Sequence, residues 1–287
     1  MTFRNRLLDK RAAIAVLSML SLGLALALPN TASAADTLDK IKKSGKVTVG
    51  TEAAFPPFEF VQNGKIVGYG KDILDVIVAD LGVQLEQLDL PYQGIFPGLL
   101  ASKFDFIATT LMISDTDAKR VAFTMPIAEG SSSILKRKGD ARINKVDDLN
   151  GKVVGAQLGT PSERLLRDMS AKYKAEGKPG FELKLFTSGP EGFLALANSQ
   201  IDAVVSLLPT LKALAVKQPN TYEVVGRVFD KQDYLAWATR PDDKPLRDYL
   251  SSQIKALRDN GKLYAMQDKW FGFRMEVPDS SIPAGGN

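Results

Sequence analysis

The residues of this chain that could do chemistry are mainly acids, because the two side chains most often used in catalysis and metal binding are absent. The 287 residues include no cysteine and no histidine. This excludes a thiol nucleophile and a disulfide, and it removes the commonest general base and metal ligand. Any reaction would rest on carboxylates, lysine, tyrosine or serine, and the sequence implies no cofactor.

Three acids stand where an apolar segment ends. Glu52 follows KVTVGT, whose alternating pattern is typical of a strand. A carboxylate at that place is costly to bury unless a cation accompanies it. Asp115 and Asp117 lie within TLMISDTDAKRVAFTMP, between two apolar runs, with Lys119 and Arg120 directly behind them. This stretch is either a solvated turn, with Asp117 in the first turn of a helix, or the wall of a binding site.

The elements around these acids alternate between strands and helices, which predicts an α/β fold of mainly parallel sheets flanked by helices. FEFVQNGKIVGY indicates a hairpin, with Asn63-Gly64 in the turn and Phe58 and Phe60 alternating along one arm. From Asp72 onward, apolar residues recur at helical spacing. Further helices are predicted at about 94–102, 162–174, 191–197, from 209, and in two amphipathic segments near the end.

The first 35 residues have the pattern of a cleavable secretory signal peptide. Four basic residues precede an apolar run over 12–28, and Pro29 and the small residues TASAA follow. An uncleaved membrane anchor is the alternative, since the run is slightly shorter than a spanning helix of about 20 residues. Without a cysteine to carry a lipid, the exported chain is expected in the periplasm. Without this segment 33 basic and 32 acidic residues remain, which does not fit a nucleic-acid-binding protein.

About 252 residues remain after the signal peptide, near the size at which one core divides into two. The order of elements predicts a two-lobed clamshell in which each lobe has its own sheet and two hinge crossings join them. We expect lobe 1 at 36–128 plus 232–278, lobe 2 at 129–231, and a loose tail at 279–287. The cleft between such lobes is the natural place for a ligand.

Seven segments stand in a familiar order along the chain. They are GTEAAFPPFEF, GKIVGYGKDIL, YQGIFPGLLASKFDFIATTLMIS, VAFTMP, GKVVGAQLGT, LANSQIDAVVSLLP and LRDNGKLYAMQDKWFG. From about residue 36 to 273, this order resembles the polar amino-acid family of periplasmic solute-binding proteins, the receptor subunits of ABC importers. The resemblance implies a monomer, not an enzyme, that closes around a small polar solute and delivers it to a permease in the inner membrane.

The same resemblance implies a set of ligand-binding positions. The acid after the first strand corresponds to Glu52, the aromatic residue that stacks on the ligand to Phe55, and a second aromatic wall to Tyr92. Ordinary core packing would also explain the two aromatic residues. The remaining implied positions are Thr110, Met112, Asp117, Gln157, Thr160, Ser206 and Leu207.

The sequence departs from the family pattern where lobe 1 grips an amino acid. Family members read T-I-T-x-E-R, and this chain has Met112 at the first Thr, Ser114 at the second and Asp117 at the Arg that binds the α-carboxylate. Two like charges about 4 Å apart repel by roughly 4 kcal/mol at an effective dielectric near 20. We therefore expect Asp117 to line the cleft and to set the charge of the ligand.

Lobe 2 departs from the pattern as well. Leu207 stands where the family has the Asp that holds the α-ammonium, and Pro161, which has no N–H, enters a loop that binds carboxylate. With two aromatic walls nearby, these changes favour a cationic amine or a modified amino acid over a free α-amino acid. A neutral polyol-like solute remains open.

An enzyme on the same scaffold is the alternative reading. Some relatives of the family are dehydratases that act on cyclohexadienyl acids, and a desolvated Glu52 would serve as their general acid. The missing cationic clamp counts against this reading, because those substrates are anions.

Overall fold

The computed structural model describes residues 36–229 and 232–279. The predicted signal peptide and nearly all of the predicted tail lie outside these residues. The chain from Asp36 onward forms one compact unit, which contains two large sheets and one small sheet. Within the described ranges, no helix is long and apolar enough to cross a membrane, and no cluster of acids could hold a metal ion.

The first large sheet positions Glu52, which directly follows its strand Lys46–Thr51. Its strands, in spatial order, are β5 (Gln84–Asp89), β1 (Lys46–Thr51), β6 (Phe106–Met112), β14 (Tyr234–Thr239) and β7 (Ala122–Phe123), and β8 (Ala128–Glu129) pairs with β14. The first three strands are parallel and the other three run antiparallel to their neighbours. Every residue of β6 is buried, because alternate side chains enter the apolar clusters on the two faces of the sheet.

The second large sheet repeats this arrangement in lobe 2. Its strands, in spatial order, are β11 (Glu182–Phe186), β10 (Val153–Gln157), β12 (Ala203–Leu207), β9 (Ser132–Arg137) and β13 (Tyr222–Arg227). The first three are again parallel, and β9 and β13 are antiparallel. Two mixed sheets with helices packed on them confirm the predicted α/β clamshell. The lobe boundaries drawn from the sequence stay a prediction.

The small sheet contains the predicted hairpin. It consists of β2 (Ala54–Phe55), β3 (Glu59–Gln62) and β4 (Lys65–Val67). Asn63 and Gly64 have φ angles of 52° and 72°, and two positive φ angles are what a two-residue hairpin turn requires. The turn residues therefore account for the hairpin directly.

The helices begin and end close to the predicted positions. They are α1 (Thr37–Ser44), α2 (Tyr69–Leu81), α3 (Tyr92–Leu100), α4 (Asp115–Ala118), α5 (Pro161–Ala175), α6 (Gly189–Ala197), α7 (Leu208–Lys217), α8 (Lys244–Asp259) and α9 (Lys262–Phe271), with a 3-10 turn at Val146–Leu149. The sequence analysis missed α1. Asp36 caps this helix by accepting from the N–H of Asp39, and Gly45 ends it with a φ of 66°.

The chain passes between the two large sheets twice, from β8 to β9 and from β13 to β14. The two crossing segments bond to each other. The N–H of Gly130 donates to the carbonyl of Asp233 at 2.7 Å, and the N–H of Asp233 donates to Ser131 Oγ at 3.2 Å. These paired crossings hold the carboxyl ends of the parallel strands of both sheets against a common cleft.

Candidate functional site

A cavity, with about 440 Å³ of empty space that includes its opening to solvent, lies where the carboxyl ends of the parallel strands and the amino ends of α3 and α5 meet. It is lined by Glu52, Phe55, Tyr92, Thr110, Met112, Gln157, Thr160, Pro161, Ser162, Val205, Ser206 and Leu207. Nine of the ten positions implied by the resemblance are in this lining, and Asp117 is not. Sequence reasoning did not name Ser162 or Val205 as site residues. That the lining residues bind a ligand stays a prediction.

Among the described residues that line the cavity, Glu52 is the one acid, and none is a lysine or an arginine. Burial raises the pKa of Glu52 to about 7, a hydrogen bond from Gln157 partly offsets this rise, and the nearby Asp89 adds to it. The bond runs from Gln157 Nε2 to Glu52 Oε1 and crosses the cleft, since Gln157 ends β10 of lobe 2. A cation beside Glu52 would stabilise its charged form and bring the pKa back down.

The two aromatic residues, Phe55 and Tyr92, are consistent with both interpretations of the sequence, which were core packing and the lining of a ligand site. Phe55 stacks on Phe58, with ring centroids 5.2 Å apart and planes inclined by 9°. Tyr92 meets Phe96 edge to face at 6.2 Å. Each wall residue thus packs on an apolar cluster with one side and lines the cavity with the other. Two such rings beside a carboxylate suit a cation.

Most hydrogen-bond donors at the amino end of α5 already bond to acceptors in the same segment of the chain. The Thr160 hydroxyl donates to the carbonyl of Gln157 at 2.7 Å and accepts from the N–H of Glu163 at 3.4 Å. The N–H of Gly159 donates to Glu163 Oε2 at 2.6 Å, and Pro161 has no N–H. The loop that the family pattern assigns to a carboxylate therefore has few donors left. The signal for this was in the sequence, because Thr160-x-x-Glu163 has the spacing of a capping box.

A model of the bacterial extracellular solute-binding proteins, family 3, matches residues 47–273. This chain belongs to that family. The family 3 protein is 30% identical to the L-cystine-binding protein TcyJ of Escherichia coli strain K12, over 82% of this chain and 86% of that one. It is 29% identical to the L-arginine-binding protein of Pseudomonas aeruginosa, over 79% and 88% of the two chains.

Solved structures similar to this family 3 protein share its two-lobed fold. A mutant of ArgBP from T. maritima has a TM-score of 0.74 at 33% identity, over 83% of this chain and all of that one. The ancestral amino acid-binding protein AncCDT-1, a precursor of cyclohexadienyl dehydratase, has a TM-score of 0.73 at 30% identity, over 82% of this chain and 99% of that one.

The structure of the family 3 protein places Asp117 outside the cavity lining. The Asp117 side chain is only 1% exposed, and it pairs with Arg120 Nη2 at 2.6 Å and with Arg164 Nη2 at 2.7 Å. Its Oδ2 also accepts from Ser114 Oγ at 2.7 Å. Two guanidinium groups thus compensate this carboxylate outside the cavity wall, and its influence on the charge of the ligand stays a prediction. Arg120 lies three positions after Asp117, so the turn of α4 brings its guanidinium group back to the Asp117 carboxylate. Arg164 reaches the same carboxylate from lobe 2.

Side chains of the family 3 protein therefore join the two lobes directly. Asp117, at the position where the family pattern has the Arg that binds the ligand, instead pairs with Arg164 of the opposite lobe. Side-chain contacts bridge the two lobes at several places, among them Asp117 to Arg164, Gln157 to Glu52, and Gln93 Nε2 to the carbonyl of Leu158 at 3.0 Å. Leu207 lines the cavity, and none of the described lining residues from lobe 2 is an acid.

Proposed function

We propose that this chain is the periplasmic solute-binding component of an ABC importer. It captures a small polar solute of the amino-acid or amine class by closing two lobes, and it delivers the solute to a permease in the inner membrane. The family match supports the transport role, and relatives named for cystine and arginine binding support the solute class. Export by a cleaved signal peptide, action as a monomer and the lobe boundaries given above belong to the same proposal.

The proposed solute is a cationic amine or a modified amino acid, not a free α-amino acid. The observation that carries this choice is the lining itself, whose described residues include one carboxylate and two aromatic walls but no lysine or arginine. A carboxylate on the solute would meet Glu52 without a guanidinium to hold it, since Arg120 and Arg164 are bound to Asp117. An ammonium group would instead gain a charged hydrogen-bond partner and contact with two rings.

A thermal-shift screen of the chain from residue 36 onward tests the transport role. The panel contains amino acids, amines, opine-like conjugates and sugars. A solute at one hundred times its dissociation constant should add about 2.7 kcal/mol to the free energy of unfolding. At roughly 2–4 °C per kcal/mol this raises the melting temperature by about 5–10 °C. A panel in which no compound raises the melting temperature would contradict solute capture.

A dehydratase activity is the second candidate, and the raised pKa of Glu52 is the observation that favours it. A carboxyl group with a pKa of about 7 can act as a general acid at neutral pH, and AncCDT-1 links this fold to such an enzyme. The cavity lining has no cation for an anionic substrate. We therefore expect purified protein not to turn over prephenate or arogenate. Turnover that Glu52→Gln abolishes would replace the binding role with an enzymatic one.

A further inference from the structure

We propose that Glu59, which lies behind the cavity wall, is a positioning residue that determines solute specificity by fixing the direction of the Thr110 hydroxyl. This inference deepens the proposed function and rests on it. Glu59 itself does not line the cavity, whereas Thr110 does. The direction of the hydroxyl decides whether this part of the wall accepts or donates a hydrogen bond.

The contacts of Glu59 leave it little choice of partner. The residue begins β3 and is 0% exposed. Thr110 Oγ1 donates to Glu59 Oε1 at 2.6 Å, and the N–H of Thr110 lies 3.4 Å from Oε2. On the other side the carboxylate lies against the first turn of α2, so closely that a Cβ on Gly70 would be 1.9 Å from Oε1. The Thr109 side chain also hydrogen-bonds to this carboxylate, which is therefore held between α2 and the two threonines of β6.

A hydroxyl group has a single hydrogen to donate. When the Thr110 hydroxyl gives it to an ionised Glu59, only oxygen lone pairs remain for the cavity, and these accept from an ammonium or another N–H of the solute. When Glu59 is protonated, it can donate to Thr110 Oγ1, and the hydroxyl hydrogen is then free to meet an acceptor. The protonation of Glu59 thus selects between donors and acceptors on the solute.

The surroundings of Glu59 favour its neutral form until a cation arrives. Burial raises the pKa of Glu59 to about 8, its threonine hydrogen bonds lower it again, and the charge of Glu52 raises it slightly. On α2, Tyr69 is buried beside it, and the Asp72 carboxylate bonds instead to Lys269 and to an indole N–H. No lysine or arginine of the described residues pairs with Glu59. A cationic solute in the cavity would therefore drive protons from both Glu52 and Glu59 into the buffer at neutral pH, and only the share from Glu59 is lost in Glu59→Gln.

Calorimetry with agmatine, the decarboxylated form of arginine, tests this role. Titrations near pH 7 in two buffers of different ionisation enthalpy count the protons released on binding. We expect Glu59→Gln to weaken agmatine binding by about tenfold, which is the effect of losing one hydrogen bond to a charged group. The number of protons released on binding should also be lower in this variant. Thr110→Val should cause a similar loss, Thr110→Ser should restore affinity, and the double variant should be no weaker than either single variant.

A merely structural role of Glu59 gives a different pattern. Glu59→Gln would then lower the melting temperature and leave agmatine affinity and proton release unchanged. Alternatively, the losses of agmatine affinity in Glu59→Gln and Thr110→Val would add up as free energies in the double variant. Either result overturns the inference. Failure of the wild-type protein to bind agmatine would refute the proposed cationic class, and with it the role of Glu59 in selecting that class.

A second measurement needs no solute. The pKa of Glu59 is higher in the folded protein than in the unfolded chain, so the folded state holds the extra proton between about pH 4.5 and 8. Stabilisation from this proton is complete below the unfolded pKa and is lost as the pH rises through the folded pKa. The melting temperature should fall less between about pH 5 and 8.5 in Glu59→Gln than in the wild type. An unchanged fall would show that Glu59 is not the buried acid proposed here.

Discussion

Replacing Asp117 with arginine should separate the two lobes of the unliganded protein and weaken solute binding by at least about a hundredfold. The Asp117 carboxylate lies between two guanidinium groups, one of them on the opposite lobe. Two unit charges about 4 Å apart interact by roughly 4 kcal/mol at an effective dielectric near 20. The substitution turns this attraction across the cleft into repulsion, and each 1.4 kcal/mol changes an equilibrium by about tenfold.

Small-angle scattering of the unliganded protein measures this effect. The radius of gyration should rise in Asp117→Arg, and it should rise to a smaller extent in Arg164→Ala, which removes only the partner on lobe 2. Arg167→Ala is the matched control, because Arg167 lies on the same helix and pairs with Glu163 within lobe 2. If Asp117→Arg folds and keeps both the wild-type scattering curve and the wild-type affinity, the bridge between the lobes has no part in closure.

The local elements and most of the cavity could be predicted from the sequence, because their signals are local or collinear. Alternation in KVTVGT predicts β1, and Asn63-Gly64 predicts the hairpin turn. The resemblance to a known family implied Glu52, Phe55 and seven other positions one by one, and the structure brings these nine together around one cavity. Several of them lie near the carboxyl ends of parallel strands, which meet at one edge of a sheet.

Asp117 and Glu59 were beyond sequence reasoning for a different reason. The partner that decides the role of Asp117 is Arg164, 47 positions away on the other lobe, and no local pattern indicates that pair. Alternation through Phe58 and Phe60 would turn Glu59 outward, yet Phe58 and Glu59 are both fully buried. At the start of β3 both faces are covered, since α2 and β6 contact the carboxylate. A strand segment that is buried on both faces does not show the alternation of apolar and polar residues from which the direction of a side chain is predicted.

The largest loss of solute affinity from a change in the cavity lining should follow from Glu52→Gln. Glu52 is the one acid among the described residues of the lining, and a hydrogen bond to a charged group contributes about 1.5–3 kcal/mol. Affinity for a cationic solute should therefore fall by about ten- to a hundredfold. The fold should tolerate the change, because the neutral amide has no charge to desolvate. Glu86→Gln, an exposed acid paired with Lys46 on neighbouring strands, is the matched control and should leave affinity unchanged.

Calorimetric titration of the wild-type protein with agmatine and with L-arginine tests the central claim most directly, because the two compounds differ only in the α-carboxylate. The claim is that the cavity binds a cation through Glu52 and that its described lining has no cationic group to grip a carboxylate. We expect agmatine to bind at least about tenfold more tightly than L-arginine, which corresponds to 1.4 kcal/mol. Tighter binding of L-arginine, unaffected by Glu52→Gln, would contradict the account.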